Sequence, residues 1–240
     1  MKIVLAQISI SQNYKYNLEK IINIINNNKF NIIIFPELSL TSYNLKKAIK
    51  LSNKKIFKSL KSIQKKLNKE QVAIIGTIIK NGNKLYNSAA IINKKKIIFY
   101  NKSTLTEYDS KYLNKGKDIL CFQYKKHRIG LLICRDQNNV KLIKRYRKVK
   151  CDILIQLSAH YYDKNTASKK LDKNIAMPIV RAIDSNTLLF KVNTVGESMD
   201  KVSLGSSMIV SSDGYILKKA KQFKEEIIKF RLNSLKCKKK

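Results

Sequence analysis

Tryptophan is absent from this 240-residue chain, which holds only two prolines and seven glycines. So few backbone breakers exclude a collagen-like, linker-rich or proline-rich protein. No apolar run approaches the ~18 residues of a membrane span. The opening Met1-Lys2-Ile3-Val4-Leu5-Ala6-Gln7 turns polar too early for a secretory leader and reads as a strand. The four cysteines, at positions 121, 134, 151 and 237, show no Cys-x-x-Cys spacing. Neither a zinc site nor a disulfide framework is expected. A reduced, cytoplasmic setting is the default expectation.

Acidic residues are scarce as well: 16 against 50 basic ones, for a formal net charge of +34. Such a balance suggests a polyanion partner. Composition supplies a plainer cause. Lys, Ile and Asn together make up 101 of the 240 residues, and all three use AT-rich codons. Selection for nucleic acid would raise Lys and Arg but not Ile. Arg, the better reader of phosphates and bases, accounts for only six of the basic residues. The lysines are spread along the chain, so any nucleic-acid contact is expected to be non-specific and salt-sensitive.

Apolar periodicity alternates between the two regular structures. Strands are expected at 3–8, 31–35, 72–79, 85–92, 97–101, 119–124, 129–133, 152–158, 188–192, 207–210, 215–217 and 227–230. Helices are expected at 15–28, 45–68 and 138–149, and at 170–185 with an interruption near Pro178. Residues 103–118 read as a polar, irregular loop. Strands and helices interleave without a linker, which predicts one α/β domain over 1–235 and a frayed basic tail at 236–240.

Three polar residues stand at strand ends, where α/β folds place function. Glu37 follows Ile-Ile-Ile-Phe-Pro, Lys102 follows Ile-Ile-Phe-Tyr-Asn, and Cys134 follows Gly-Leu-Leu-Ile. A carboxylate, an ammonium and a thiol are the parts of a covalent acyl-transfer site. The thiol attacks a carbonyl, the carboxylate takes its proton, and the ammonium steadies the oxyanion.

Around these residues the chain resembles the nitrilase, or carbon–nitrogen hydrolase, superfamily. The matching stretches are Phe35-Pro36-Glu37-Leu38 with Tyr43, then Tyr100-Asn101-Lys102-Ser103-Thr104-Leu105, Gly130-Leu131-Leu132-Ile133-Cys134-Arg135-Asp136 and Cys151-Asp152-Ile153-Leu154-Ile155. Arg181-Ala182-Ile183-Asp184-Ser185-Asn186, Asn193-Thr194-Val195-Gly196 and Gly205-Ser206-Ser207-Met208-Ile209-Val210 follow in the family's order.

The resemblance implies a four-layer α-β-β-α sandwich with Glu37 as general base, Lys102 as oxyanion-stabilising lysine and Cys134 as nucleophile. It also implies that the backbone N–H of Arg135 completes the oxyanion hole. An ammonium beside the thiol is expected to favour the thiolate. The family often carries a second glutamate after the lysine. Counting back seven residues from Gly116 lands on Asp109, with Glu107 as the alternative. His160, at the end of a strand, and the Arg135 side chain are candidate substrate contacts. His127 is expected at the surface, and Arg181 and Asn186 in structural roles. Cys121 and Cys151 are expected as core thiols. The implied activity is hydrolysis of a non-peptide C–N bond in a small amide or N-carbamoyl compound, without cofactor or metal. Homo-oligomers are implied as well. A non-catalytic small-molecule or partner-binding protein on the same fold is the alternative, motivated by the shortened second carboxylate.

Overall fold

The computed structural model describes residues 1–117 and 119–232. Cys237 and the expected tail at 236–240 lie outside the described residues. The strands are β1 (Lys2–Gln7), β2 (Ile32–Ile34), β3 (Val72–Asn81), β4 (Lys84–Asn93), β5 (Ile97–Asn101), β6 (Cys121–Tyr124), β7 (His127–Ile133), β8 (Ile153–Leu157), β9 (Tyr161–Asp163), β10 (Leu188–Val192), β11 (Val195–Ser198), β12 (Lys201–Leu204), β13 (Met208–Val210), β14 (Ile216–Lys219) and β15 (Glu226–Arg231). The α-helices are α1 (Tyr14–Asn26), α2 (Leu45–Ala48), α3 (Asn53–Lys66), α4 (Glu107–Ser110), α5 (Val140–Lys148) and α6 (Leu171–Ser185).

Two six-stranded sheets form the centre, ordered β15-β1-β2-β3-β4-β5 and β14-β13-β10-β8-β7-β6. Alternate residues of each strand face opposite ways. Ile32 and Ile34 of β2 therefore meet Ile153, Ile155 and Leu157 of β8 between the sheets. Ile33 turns outward onto α1 and α3. Leu154 turns outward onto α5 and α6. The result is the four-layer α-β-β-α sandwich. Because both faces of each sheet are covered, the central strands are apolar runs rather than alternating ones.

Three local expectations are corrected. The helix expected over 45–68 is two helices, because Ser52 adopts an extended conformation and its hydroxyl accepts from Lys55 N to start α3 afresh. The helix expected to break near Pro178 runs through it. A proline has no N–H, so the carbonyl of Asn174, four residues back, loses its helical donor. The buried Lys191 Nζ donates to that carbonyl instead, at 2.7 Å. The third difference is a small extra sheet, β11-β12-β9, in a stretch without strong apolar alternation. It brings Tyr161 and Tyr162 toward the ends of the central strands.

Candidate active site

Glu37 sits in the turn that ends β2. Phe35 N still donates to Ile74 O of β3 at 2.9 Å, after which the chain folds back with Leu38 at φ +56°. Gly76 permits this turn: a Cβ there would lie 2.3 Å from both Pro36 O and Leu38 N. The buried carboxylate is gripped on both oxygens. Oε1 accepts from Lys102 Nζ at 2.7 Å and from Asn87 Nδ2 at 2.8 Å. Oε2 accepts from the backbone N–H of Ala159 at 2.9 Å. Burial pushes its pKa up and the Asp109 charge adds to this, while Lys102 opposes both.

Lys102 follows β5, with its N–H donating to Asn87 O of β4. Gly116 closes the intervening loop by donating to Lys102 O at 2.8 Å, and any Cβ at Gly116 would meet Asn101 O at 2.2 Å. Within that loop, α4 is capped by Thr106, whose hydroxyl accepts from Asp109 N while the Asp109 carboxylate accepts from Thr106 N. The cap buries Asp109 and sets its Oδ2 2.8 Å from Lys102 Nζ. Glu107 lies on the outside of the same turn, exposed and paired with Lys111. The structure therefore brings Asp109, and not Glu107, to Lys102. Burial alone would lower the Lys102 pKa; the charges of Glu37, Cys134 and Asp109 override it and hold it well above its ordinary value.

Cys134 opens a 3-10 turn, Cys134–Asn138, directly after β7. Its φ of +46° is unusual for a non-glycine residue and marks a sharp strand-to-helix corner. Asp136 fixes that corner. Its Oδ2 accepts from Ile133 N and Tyr100 Oη, and its Oδ1 accepts from Ser103 N, Ser103 Oγ and Thr104 N. One carboxylate thus ties the end of β7 to the segment carrying Lys102. The Cys134 thiol lies within electrostatic reach of both Glu37 and Lys102. The expected pull of Lys102 toward the thiolate is present but outweighed. Burial and the Glu37 charge raise the thiol's pKa, and Lys102, shared between two carboxylates, does not offset them. Arg135 presents its side chain to solvent.

The rim is aromatic. Tyr43 stacks on Tyr161 with centroids 4.4 Å apart and on Tyr108 at 5.8 Å, and Tyr108 meets Tyr112 edge-on. His160, next to Ala159, lies beside Tyr162 and shares a 2.6 Å hydrogen bond between its Nδ1 and Asn174 Oδ1. His127 lies away from this cluster, partly buried at the start of β7. Arg181 donates from Nε to Gln137 O and pairs with Asp184, joining α6 to the 3-10 turn. Asn186 caps α6 in the left-handed conformation. Cys121 and Cys151 bring their sulfurs to 2.7 Å from each other in the layer beneath α5. Among the described residues no cluster of three or more His, Cys, Asp or Glu side chains is placed to hold a metal ion. No described helix is long and apolar enough to cross a membrane.

Asn87, Asn174 and Lys191 escaped the sequence reading. A signal was present for two of them. Asn87 interrupts an apolar strand just before Ser-Ala-Ala-Ile-Ile, and Lys191 stands inside Leu-Leu-Phe-Lys-Val. A polar side chain within such a run has to find a buried partner.

Comparison with known proteins places these features in context. Residues 2–238 match the model of the carbon-nitrogen hydrolase family. The glutamine-dependent NAD(+) synthetase of Acinetobacter baylyi is 29% identical over 94% of this chain, but only 43% of that protein is matched. The structure of glutamine-dependent NAD+ synthetase from Acinetobacter baumannii superposes with a TM-score of 0.86 at 27% identity, covering 95% of this chain and 44% of that one. This chain therefore spans less than half the length of these relatives. An amidase from Nesterenkonia sp. shares the fold, with a TM-score of 0.83 at 16% identity over 97% of this chain and 90% of its own. With a family match over nearly its whole length, the chain belongs to the carbon-nitrogen hydrolase family.

Proposed function

We propose that the chain hydrolyses the C–N bond of a small carboxamide through a thioester on Cys134, with the side-chain amide of glutamine as the leading substrate. The observation that carries the reaction is Glu37. Its charge acts on the Cys134 thiol, and its carboxylate is held in place by Lys102, Asn87 and the Ala159 N–H. Its raised pKa suits a group that must both take and return a proton.

Glu37 accepts the thiol proton as Sγ attacks the amide carbon. The thiolate forms only in that step, consistent with a raised resting pKa. The oxyanion is met by the Lys102 ammonium and the backbone N–H of Arg135. That N–H lies in the first turn of a helix, where donors lack intrahelical acceptors. Glu37 then protonates the departing nitrogen, and ammonia leaves. Water, losing its proton to Glu37, attacks the thioester. The acid is released and the thiol regains its proton. Asp109 keeps Lys102 oriented, and the exposed Arg135 guanidinium is the candidate partner for a substrate carboxylate.

Support for glutamine comes from the names of the relatives, whose reaction depends on it. The binding-protein alternative rested on the shortened second carboxylate. Asp109 reaches Lys102 at 2.8 Å despite that shortening, so nothing in the geometry favours it. Self-association completes the reading. Val180 and Ile183 of α6 and Ile216 and Leu217 of β14 are exposed apolar side chains. The formal charge of +34 opposes association at low salt. Sedimentation is expected to show a dimer or larger species favoured by added salt; a monomer at every ionic strength refutes this part.

The decisive test is intact-mass spectrometry during exposure to glutamine, asparagine, aliphatic amides and N-carbamoyl amines. The expected result is an acyl adduct on Cys134 with release of ammonia or amine, and no adduct on Cys134→Ala. Absence of adduct and of turnover across the panel, with the fold intact, overturns the proposal.

A further inference from the structure

Lys191 is a buried ammonium for which the described residues supply no salt bridge. It is fully buried on β10 beneath α6. Its Nζ donates to two oxygens of one residue, Asn174 O at 2.7 Å and Asn174 Oδ1 at 3.1 Å. The first is the carbonyl orphaned by Pro178. The second has a consequence for the candidate site.

An ammonium only donates. The Asn174 amide must therefore turn its oxygen toward Lys191, since the flipped amide would set an NH2 against an NH3+. The amide nitrogen, buried, is left without a partner among the described residues in this orientation. That cost is borne because the oxygen is needed. The same oxygen lies 2.6 Å from His160 Nδ1. Facing an acceptor, Nδ1 must carry the proton, and in a neutral ring Nε2 is then bare. Neutrality is well supported: burial, with Lys191, Lys102 and Lys173 nearby, pushes the His160 pKa down to about 3, against the opposing pull of Asn174. His160 directly follows Ala159, whose N–H holds Glu37, and the Lys102 charge reaches its ring.

We propose that Lys191 is a positioning residue: by fixing the Asn174 amide it locks His160 in the Nδ1–H tautomer, so that bare Nε2 serves as acceptor for an N–H of the amide substrate. The substrate contact rests on the amidase reading above; the tautomer does not.

The chain has only two histidines, His127 and His160. Nitrogen-15 NMR of histidine-labelled protein can therefore assign both, with His127→Gln as the reference. Wild-type His160 is expected as the neutral Nδ1–H tautomer from pH 5 to pH 6.5, where Lys191 is an ammonium, without substrate. Lys191→Met frees the amide, and a substantial Nε2–H population is expected to appear. Asn174→Asp keeps an acceptor but makes it anionic, so the Nδ1–H form is retained and the His160 pKa rises by at least about one unit, a tenfold change. With an amide substrate, Lys191→Met is expected to raise KM about three- to tenfold with kcat nearly unchanged, and Asn174→Asp to restore KM at alkaline pH. An Nε2–H ring in the wild type over that pH range overturns the proposal. So does an unaltered tautomer in a folded Lys191→Met protein. If Lys191→Met does not fold, the wild-type tautomer and the Asn174→Asp titration still decide the matter. A correct tautomer in a protein that never forms the Cys134 adduct refutes the amidase reading alone.

Discussion

Lys102 and Lys191 are both buried ammonium groups within electrostatic reach of Cys134, and their surroundings are opposite. Lys102 lies between two carboxylates, at 2.7 and 2.8 Å. Among the described residues Lys191 meets only the carbonyl and amide oxygens of Asn174. Burial disfavours both charges. At Lys102 the anions reverse that cost, and its pKa lies well above the ordinary value. At Lys191 burial wins, and the pKa falls to about 7. One ammonium is thus fixed in charge, as an oxyanion partner must be. The other is held in its place by hydrogen-bond geometry, as an orienting group can be.

Removing the better-paired charge is expected to do the most damage. Lys102→Met strips the cation from between Glu37 and Asp109 and leaves two buried carboxylates facing each other. Loss of the oxyanion partner costs about 10³-fold in kcat/KM. Breaking a buried pair from one side costs about 3–5 kcal/mol of stability. Steady-state kinetics and urea denaturation at pH 7 check both figures. A near-normal kcat/KM in this variant refutes the role given to Lys102.

Removing one anion moves Lys102 halfway toward the situation of Lys191. Asp109→Asn keeps the size of the side chain but halves the compensation. A loss of about 10²-fold in kcat/KM is expected, equivalent to about 2.7 kcal/mol. Glu107→Gln changes only an exposed pair and is expected to stay within about twofold. Asp109→Glu is expected to be tolerated, since the α4 turn is short and its loop can shift slightly. The reverse ranking of Asp109 and Glu107 refutes the pairing with Lys102.

The two lysines also differ in how far they could be read from the chain. Glu37, Lys102 and Cys134 each close an apolar run, and strand ends are where polar side chains escape the core, so these positions stood out. The layers were legible for a related reason: both sheets are covered on both faces, which leaves strands such as Ile-Ile-Ile and Ile-Leu-Ile uninterrupted. Asp109 required counting from Gly116, because the cap that buries it spans only Thr106 to Asp109. Lys191 and Asn174 were not legible. They lie 17 residues apart, and their contact exists only because α6 continues through Pro178 and packs on β10. The break near Pro178 was misread for the same reason: the donor that replaces its missing N–H comes from another element. The β11-β12-β9 sheet pairs polar strands whose partners are set by tertiary position rather than by periodicity.

The smallest expected effect separates the two lysines through their pH dependence. Lys191 has an ordinary value of 10.5 and a folded value of about 7. Between these pH values the unfolded chain binds more protons at this group, so its contribution to stability rises with pH. Its full cost is felt below about pH 7 and fades toward pH 10.5. At ~1.36 kcal/mol per pH unit, the whole span is worth at most about 5 kcal/mol. Lys102 runs the other way: its contribution is complete below pH 10.5 and is lost only as pH climbs through its raised folded value. Lys191→Met removes the first dependence and keeps the second. It also orphans the Asn174 carbonyl, which costs about 1–3 kcal/mol at every pH. Unfolding free energies of wild type and Lys191→Met, measured in urea at pH 6, 8 and 10, are therefore expected to change relative to each other. The variant fares best against the wild type at pH 6 and loses ground by pH 10. Parallel curves across that range would show that Lys191 keeps an ordinary pKa when folded, and would erase the contrast with Lys102.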